Sequence, residues 1–267
     1  MLRRYTVDPR PKLWHLKISH YSEKVRWALD YKGVDAERLK PTPGLHPLKA
    51  LWLTRGHGRT LPVLELDGRR YGDSTAAIAA LEARFPEPPL YPARPDALRR
   101  ALELETFFDD EVAPPIRHAL FHELWRDREH SPELLPKLFG QSLVTRSRHL
   151  GNTIGRVWTR SLYGVGPESR AKTAREMVVR GLDRLERELD DREYLVEDRF
   201  TVADLTAAAV FHPLVLPPEG PLHNVPAAWR RFRESLADRP GYRWVERTFA
   251  RHRAPARSGG SRAPAAA

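Results

Sequence analysis

Four short stretches hold the side chains with the capacity for chemistry. The first is Ser19-His20-Tyr21-Ser22, two hydroxyls three residues apart where an apolar alternating run, Leu13 to Ile18, meets a helical one. Serine favours the start of a helix, where its oxygen accepts from free amides, and that same end attracts anions. The second is a basic loop with Arg55, His57 and Arg59, followed by Leu61-Pro62 at the head of an apolar strand. Asp73-Ser74 is the third, another pair that opens a helix. The fourth is a helical stretch carrying Phe107, Phe108, His118, Phe121, His122 and Trp125. His118 and His122 lie one turn apart, a spacing that can hold a metal, but H-E-x-x-H is missing and the sequence supplies no evident third ligand. No metal is therefore expected, and core packing accounts for most of these aromatics.

Composition narrows the chemistry. The 267 residues are 41% hydrophobic and 30% charged, within the range of globular proteins, and cysteine is absent. Disulfides, thiolate metal sites and a catalytic thiol are excluded, which fits a reducing compartment, and a cytoplasmic location is expected. No run approaches the roughly 18 apolar residues of a membrane helix. The basic start, MLRRYTVDPRPK, has no apolar segment behind it, so no secretory leader is expected. A net charge of +10 raises the question of nucleic acid. That charge is spread along the chain, with arginine outnumbering lysine 37 to 8. Its densest acid-free stretch, Ala250 to Ala267, carries Arg251, Arg253, Arg257 and Arg262 among Ala, Pro, Gly and Ser. Residues 253–267 are expected to form a disordered basic tail. Without zinc-finger spacing or an aromatic–basic signature, nucleic-acid binding is not expected as the main function.

These residues need elements to position them. Alternation predicts a strand over Leu13–Ile18, a helix from Ser19 to the stop signal Gly33, and a weaker strand near Glu37–Lys40. Pro41 to Thr60 reads mainly as loop, with one helical turn near Leu48–Leu53. Leu61–Leu66 and Arg69–Tyr71 predict a hairpin through Asp67-Gly68, and Asp73-Ser74 a helix ended by Pro86. The stretch PEPPLYPARP, rich in stiff proline, is a natural linker. Beyond it only helices are predicted: Asp96–Asp127, Pro132–Arg148, Glu168–Leu189, Val202–Leu214, Ala227–Leu236 and Tyr242–Arg251. The expected division is an α/β domain over 1–88 and an all-helical domain over 89–252.

Taken in order, SHYSEKVRWALDYKG, LPVLELDG and DSTAAI resemble the N-terminal domain of the glutathione S-transferases, with serine-type zeta, theta and bacterial classes nearest. Phe200-Thr201-Val202-Ala203-Asp204-Leu205 resembles the capping box of that family's helical domain. Serines stand at both positions where thioredoxin-fold redox proteins carry C-x-x-C, so disulfide exchange is excluded. The resemblance implies a fold of class α/β plus all-α: a thioredoxin-like N-terminal domain followed by a helical bundle. It implies glutathione as co-substrate, conjugated to a small hydrophobic electrophile. Ser19 matches the catalytic serine, and Ser22 is read as structural. Leu61 matches the residue that pairs with the cysteinyl backbone, and Pro62 the cis-proline. Asp73 and Ser74 match the pair holding the γ-glutamyl end, and Arg59 a basic residue near the glycine carboxylate, a role for which Arg55 and His57 compete. Phe108, His118 and His122 are the candidate lining of the electrophile pocket. His20 departs from a position that is often small or proline in the family. The resemblance further implies a homodimer. Isomerisation or dehalogenation by the same site, a non-catalytic scaffold, and mycothiol in place of glutathione stand as alternatives.

Overall fold

The computed structural model describes residues 9–42, 45–127, 129–139 and 148–253. Four short strands, β1 (Lys12–Trp14), β2 (Glu37–Leu39), β3 (Val63–Leu66) and β4 (Arg69–Tyr71), form one sheet in the order β2-β1-β3-β4. β1 is parallel to β2 and antiparallel to β3, while β3 and β4 form a hairpin. Asp67 and Gly68 turn that hairpin at φ of 48° and 75°, the left-handed pair that Asp-Gly supplies most readily.

β1 stops at Trp14 rather than continuing to Ile18. Beyond His15 its backbone groups have partners outside the sheet: Leu16 N–H donates to Ser22 Oγ, and the Leu16 and Lys17 carbonyls accept from Arg26. β3 starts at Val63, after Pro62, which has no N–H to give a ladder. α1 (His20–Tyr31) and α3 (Ser74–Arg84) pack against each other. Between them the stretch expected to be mostly loop forms α2 (His46–Leu53), with Pro47 in its first turn. Ala50 and Leu53 of α2 are buried in a small cluster with Leu61 and Val63.

From Pro95 onward the described elements are helical: α4 (Pro95–Phe107), α5 (Ala113–Arg126), α6 (Ser131–Phe139), α7 (Arg148–Tyr163), α8 (Glu168–Leu189), α9 (Val202–Val215), α10 (Ala227–Glu234) and α11 (Pro240–His252). The helix expected over Asp96–Asp127 is interrupted by a π-helical turn, Phe108–Val112. Pro114 and Pro115 lack the N–H groups that would continue α-helical bonding to residues 110 and 111, and the wider turn accommodates the gap. The predicted helix Pro132–Arg148 is only partly seen, because residues 140–147 lie outside the described ones, and α7 extends 15 residues past its predicted end.

A thioredoxin-like α/β unit followed by an all-helical one is thus the architecture. Its centre is α9, whose residues are all buried against α1, α4, α5 and α11. Asp204 secures the start of α9: one carboxylate oxygen accepts from the Thr201 amide and hydroxyl, both at 2.8 Å, and the other from the Leu195 amide at 2.8 Å. Arg253, expected to begin a disordered tail, is instead buried and pairs with Glu23 and Asp30 of α1, each at 2.7 Å. The sequence puts Arg253 in an acid-free run, but its partners lie far upstream. The remaining expected tail lies outside the described residues.

Removing the Asp204 carboxylate strands two buried amides and a hydroxyl. Asp204→Ala is expected to lower unfolding free energy by on the order of 3 kcal/mol, read from urea denaturation.

Candidate thiol-binding site

The sheet register gathers three of the sequence-marked stretches at one edge. Trp14, the last residue of β1, pairs with Val63, the first of β3, so Leu61-Pro62 lies beside the segment leading to Ser19. Tyr71, the last residue of β4, pairs with Leu64, which brings Asp73-Ser74 to the same edge. Ser19 is the N-cap of α1, and its oxygen accepts from Ser22 N–H at 3.2 Å. Because the oxygen is acting as acceptor, the hydroxyl hydrogen is left to donate elsewhere. Ser22 is buried and accepts from Leu16, a structural arrangement. The Leu61–Pro62 peptide is cis. Asp73 is the N-cap of α3, accepting from Ala76 N–H at 2.9 Å, and Ser74 is buried in its first turn. Arg55, His57 and Arg59 are all exposed in the loop before Leu61.

The expected pocket residues divide. Phe108 is fully buried and packs edge-on to Phe107 and Phe211, which makes it a core residue rather than a wall of the site. His122 is engaged at both nitrogens, with Gly166 O at 3.0 Å and Glu168 at 2.9 Å. Folding brings Glu123 and Glu168 close to it, a grouping invisible in sequence because Glu168 comes from another helix. Both carboxylates are already held by guanidiniums, Glu123 by Arg175 at 2.8 Å and Glu168 by Arg126 at 2.9 Å. A cation entering there would have to displace two arginines. His118 is half-buried, and burial lowers its pKa. His20 is buried immediately after Ser19 and held well below the usual histidine range, first by burial and then by the nearby Arg117 charge.

The sequence-marked residues rest on a network that periodicity did not reveal. Lys24, on α1 and wholly buried, donates to Glu105 of α4 at 3.0 Å and to Asp109 of the π-helical turn at 2.5 Å. Thr75, next to Ser74, donates to the same two carboxylates at 3.0 and 3.3 Å. Tyr21 adds a bond to the Asp109 carbonyl at 2.8 Å. The first turns of α1 and α3 are thereby locked to the helical unit. Burial outweighs the Lys24 charge at Asp109 and raises its pKa to about 6.

Comparison with known proteins places the fold in a family. Residues 13–89 match the glutathione S-transferase N-terminal domain, and residues 125–247 match the glutathione S-transferase C-terminal domain. The chain belongs to the glutathione S-transferase family. Among solved glutathione S-transferase structures, one from Methylobacterium radiotolerans, in complex with glutathione sulfonate, is 25% identical with a TM-score of 0.54, covering 95% of this chain and 99% of that one. A maleylpyruvate isomerase, described as a bacterial zeta-class glutathione S-transferase, is 22% identical with a TM-score of 0.58 over 94% of this chain and 99% of its own. A β-etherase from Sphingobium sp. strain SYK-6 is 20% identical with a TM-score of 0.56 over 91% and 99%. No curated protein matches the chain.

In this glutathione S-transferase, Lys24→Met leaves two buried carboxylates facing each other without their cation. A loss of about 3–5 kcal/mol is expected at pH 8. Because the folded pKa of Asp109 stands above its unfolded value, the native state takes up the extra proton between about pH 4 and 6, and this group favours the fold on the acid side of that window. Without Lys24 the pKa rises further, so the deficit should shrink in urea titrations at pH 5. A deficit independent of pH would show that lost packing, not buried charge, is responsible.

Proposed function

We propose that the chain is a glutathione-dependent transferase that conjugates the thiol to a small hydrophobic electrophile. The observation carrying this reading is the convergence of the Ser19 helix cap, cis Leu61–Pro62 and Asp73-Ser74 at one sheet edge. A free thiol has a pKa of about 8.5, and the thiolate is the attacking form, so the site must favour the anion at neutral pH. Ser19 donates its hydroxyl hydrogen to the sulfur, while the α1 N-terminus contributes its dipole. Leu61 pairs its amide and carbonyl with the cysteinyl backbone as an added strand, an approach opened by the turn at Pro62. Asp73 takes the γ-glutamyl ammonium, and Ser74 with the first turn of α3 takes the carboxylate. Arg59 provides positive charge towards the glycine end. The neighbour complexed with glutathione sulfonate supports a ligand of this class.

Isomerisation or dehalogenation would use the same residues, with the thiol adding and later leaving. Recovery of a stable conjugate favours transfer, and regeneration of free glutathione favours the alternative. A cytoplasmic homodimer is part of the proposal. An apolar groove along α4, lined by Leu98 and Leu102, supports pairing through that face.

Calorimetric titration with glutathione is expected to show micromolar-to-millimolar binding by the wild type. Asp73→Ala should lose it. Ser19→Ala should still bind but no longer lower the thiol pKa, read from thiolate absorbance against pH. A wild type that does not bind glutathione overturns this reading.

A further inference from the structure

Arg117 is exceptional among the arginines of the interior. Every other buried or half-buried arginine of the described residues meets a carboxylate or backbone carbonyls: Arg26 and Arg253 bond to Glu23, Arg239 to Glu186, and Arg233 to the Leu214 and Val215 carbonyls. Arg117, on α5, has no carboxylate among those residues, and Asp8 is the only acidic residue outside them. Its guanidinium lies over the Tyr163 ring at 4.2 Å and is 6.0 Å from the centroid of Tyr21, whose phenol takes its one hydrogen bond. The Arg117 Nε is buried without a partner among the described residues.

Two further buried nitrogens share this condition beside it. His118 Nε2, on the next residue of α5, and His20 Nε2, in the first turn of α1, also lack partners. His20 is 3% exposed, close enough to feel the Arg117 charge, and directly follows Ser19. Native proteins pair nearly all their buried polar atoms, so unpaired polar nitrogens from two helices around a guanidinium point to a ligand that completes them. A guanidinium carries five donors, and those beyond the Tyr21 bond, the unpartnered Nε among them, can meet a carboxylate in two parallel bonds. Burial holds both histidines towards the neutral form, which leaves Arg117 as the permanent charge of the cluster.

We propose that Arg117, seated on Tyr163 and Tyr21 and flanked by His118 and His20, is a carboxylate-recognition subsite, and that the electrophile taken by this protein is an apolar molecule bearing a carboxylate. The proposal deepens the transferase reading and rests on it only for what the subsite serves. Arg117 meets the first turn of α1, which Ser19 caps, so a carboxylate on Arg117 would hold the apolar body within reach of that helix start.

Calorimetry with 4-chloro-3-nitrobenzoate and its methyl ester, without thiol, tests this on the full chain, followed by turnover of both with glutathione. The wild type is expected to bind the acid about tenfold more tightly than the ester, the scale of a charge-assisted pair. Arg117→Gln should abolish that difference, and Arg117→Lys, which keeps the charge but not the fork, should retain part of it and serves if the glutamine variant does not fold. Equal wild-type affinities, or a preference surviving in Arg117→Gln, overturns the proposal. So does a loss of glutathione affinity in Arg117→Gln with no acid–ester difference, which would assign the arginine to the thiol's own carboxylate. Acid binding that needs Arg117, in a protein that does not bind glutathione, upholds the subsite and removes the glutathione reading instead.

Discussion

An ammonium group with no exposed surface is held only if anions surround it, and the position of Lys24 between Glu105 and Asp109 meets that condition at the seam of the molecule. The lysine stands one turn behind Ser19, Thr75 follows Ser74, and both carboxylates come from the helical unit. One buried charge cluster therefore sets the positions of the two helix starts on which the proposed thiol site rests. Neither half of the chain can complete it alone. The π-helical turn has a part here, because it carries Asp109 at the point where α4 passes into α5. Pro114 and Pro115 interrupt the regular bonding, and the resulting wide turn stands against Tyr21 of α1.

Much of the fold was legible because it is written in local rules. Asp67-Gly68 fixes a hairpin, Asp73 and Thr201 mark helix starts, and the apolar spacing of Glu168–Leu189 matches α8 end to end. The N-cap role of Ser19 follows from the same rules, and the cis peptide at Pro62 from family resemblance. What stayed hidden depends on distant partners. The backbone of Leu16 and Lys17 leaves the sheet because Ser22 and Arg26 capture it, which alternation along Leu13–Ile18 cannot report. Phe108 reads as a pocket aromatic from its helix but is drawn into the core by Phe211, about a hundred residues on. Lys24, Glu105 and Asp109 each look like ordinary surface charges until the chain folds. Arg117 gives no sign in sequence at all, since its distinction is that, among the described residues, no carboxylate or backbone carbonyl meets it as they meet the similar arginines.

The site also shows how a helix terminus is kept available. Ser19 satisfies the Ser22 amide, Asp73 satisfies Ala76, and neither cap is buried by neighbouring side chains as Asp204 is. Both helix starts are supported from the helical unit: Lys24, one turn into α1, and Thr75, in the first turn of α3, bond to Glu105 and Asp109. Rigidity and access are thus assigned to different residues at each helix start.

Arg253 carries a consequence for the order in which the protein is made. Its guanidinium neutralises Glu23, which is wholly buried and 230 positions earlier in the chain, and Trp27 of the same helix donates to the His252 carbonyl. On a ribosome the thioredoxin-like half emerges first, with α1 lacking both partners until the far end of α11 has been synthesised. Glu23 has Arg26 as a local substitute in the interval, a one-turn ion pair that bridges the wait. Helix α1 therefore has one ion-pair partner within its own turn and others that arrive only from the far end of the chain.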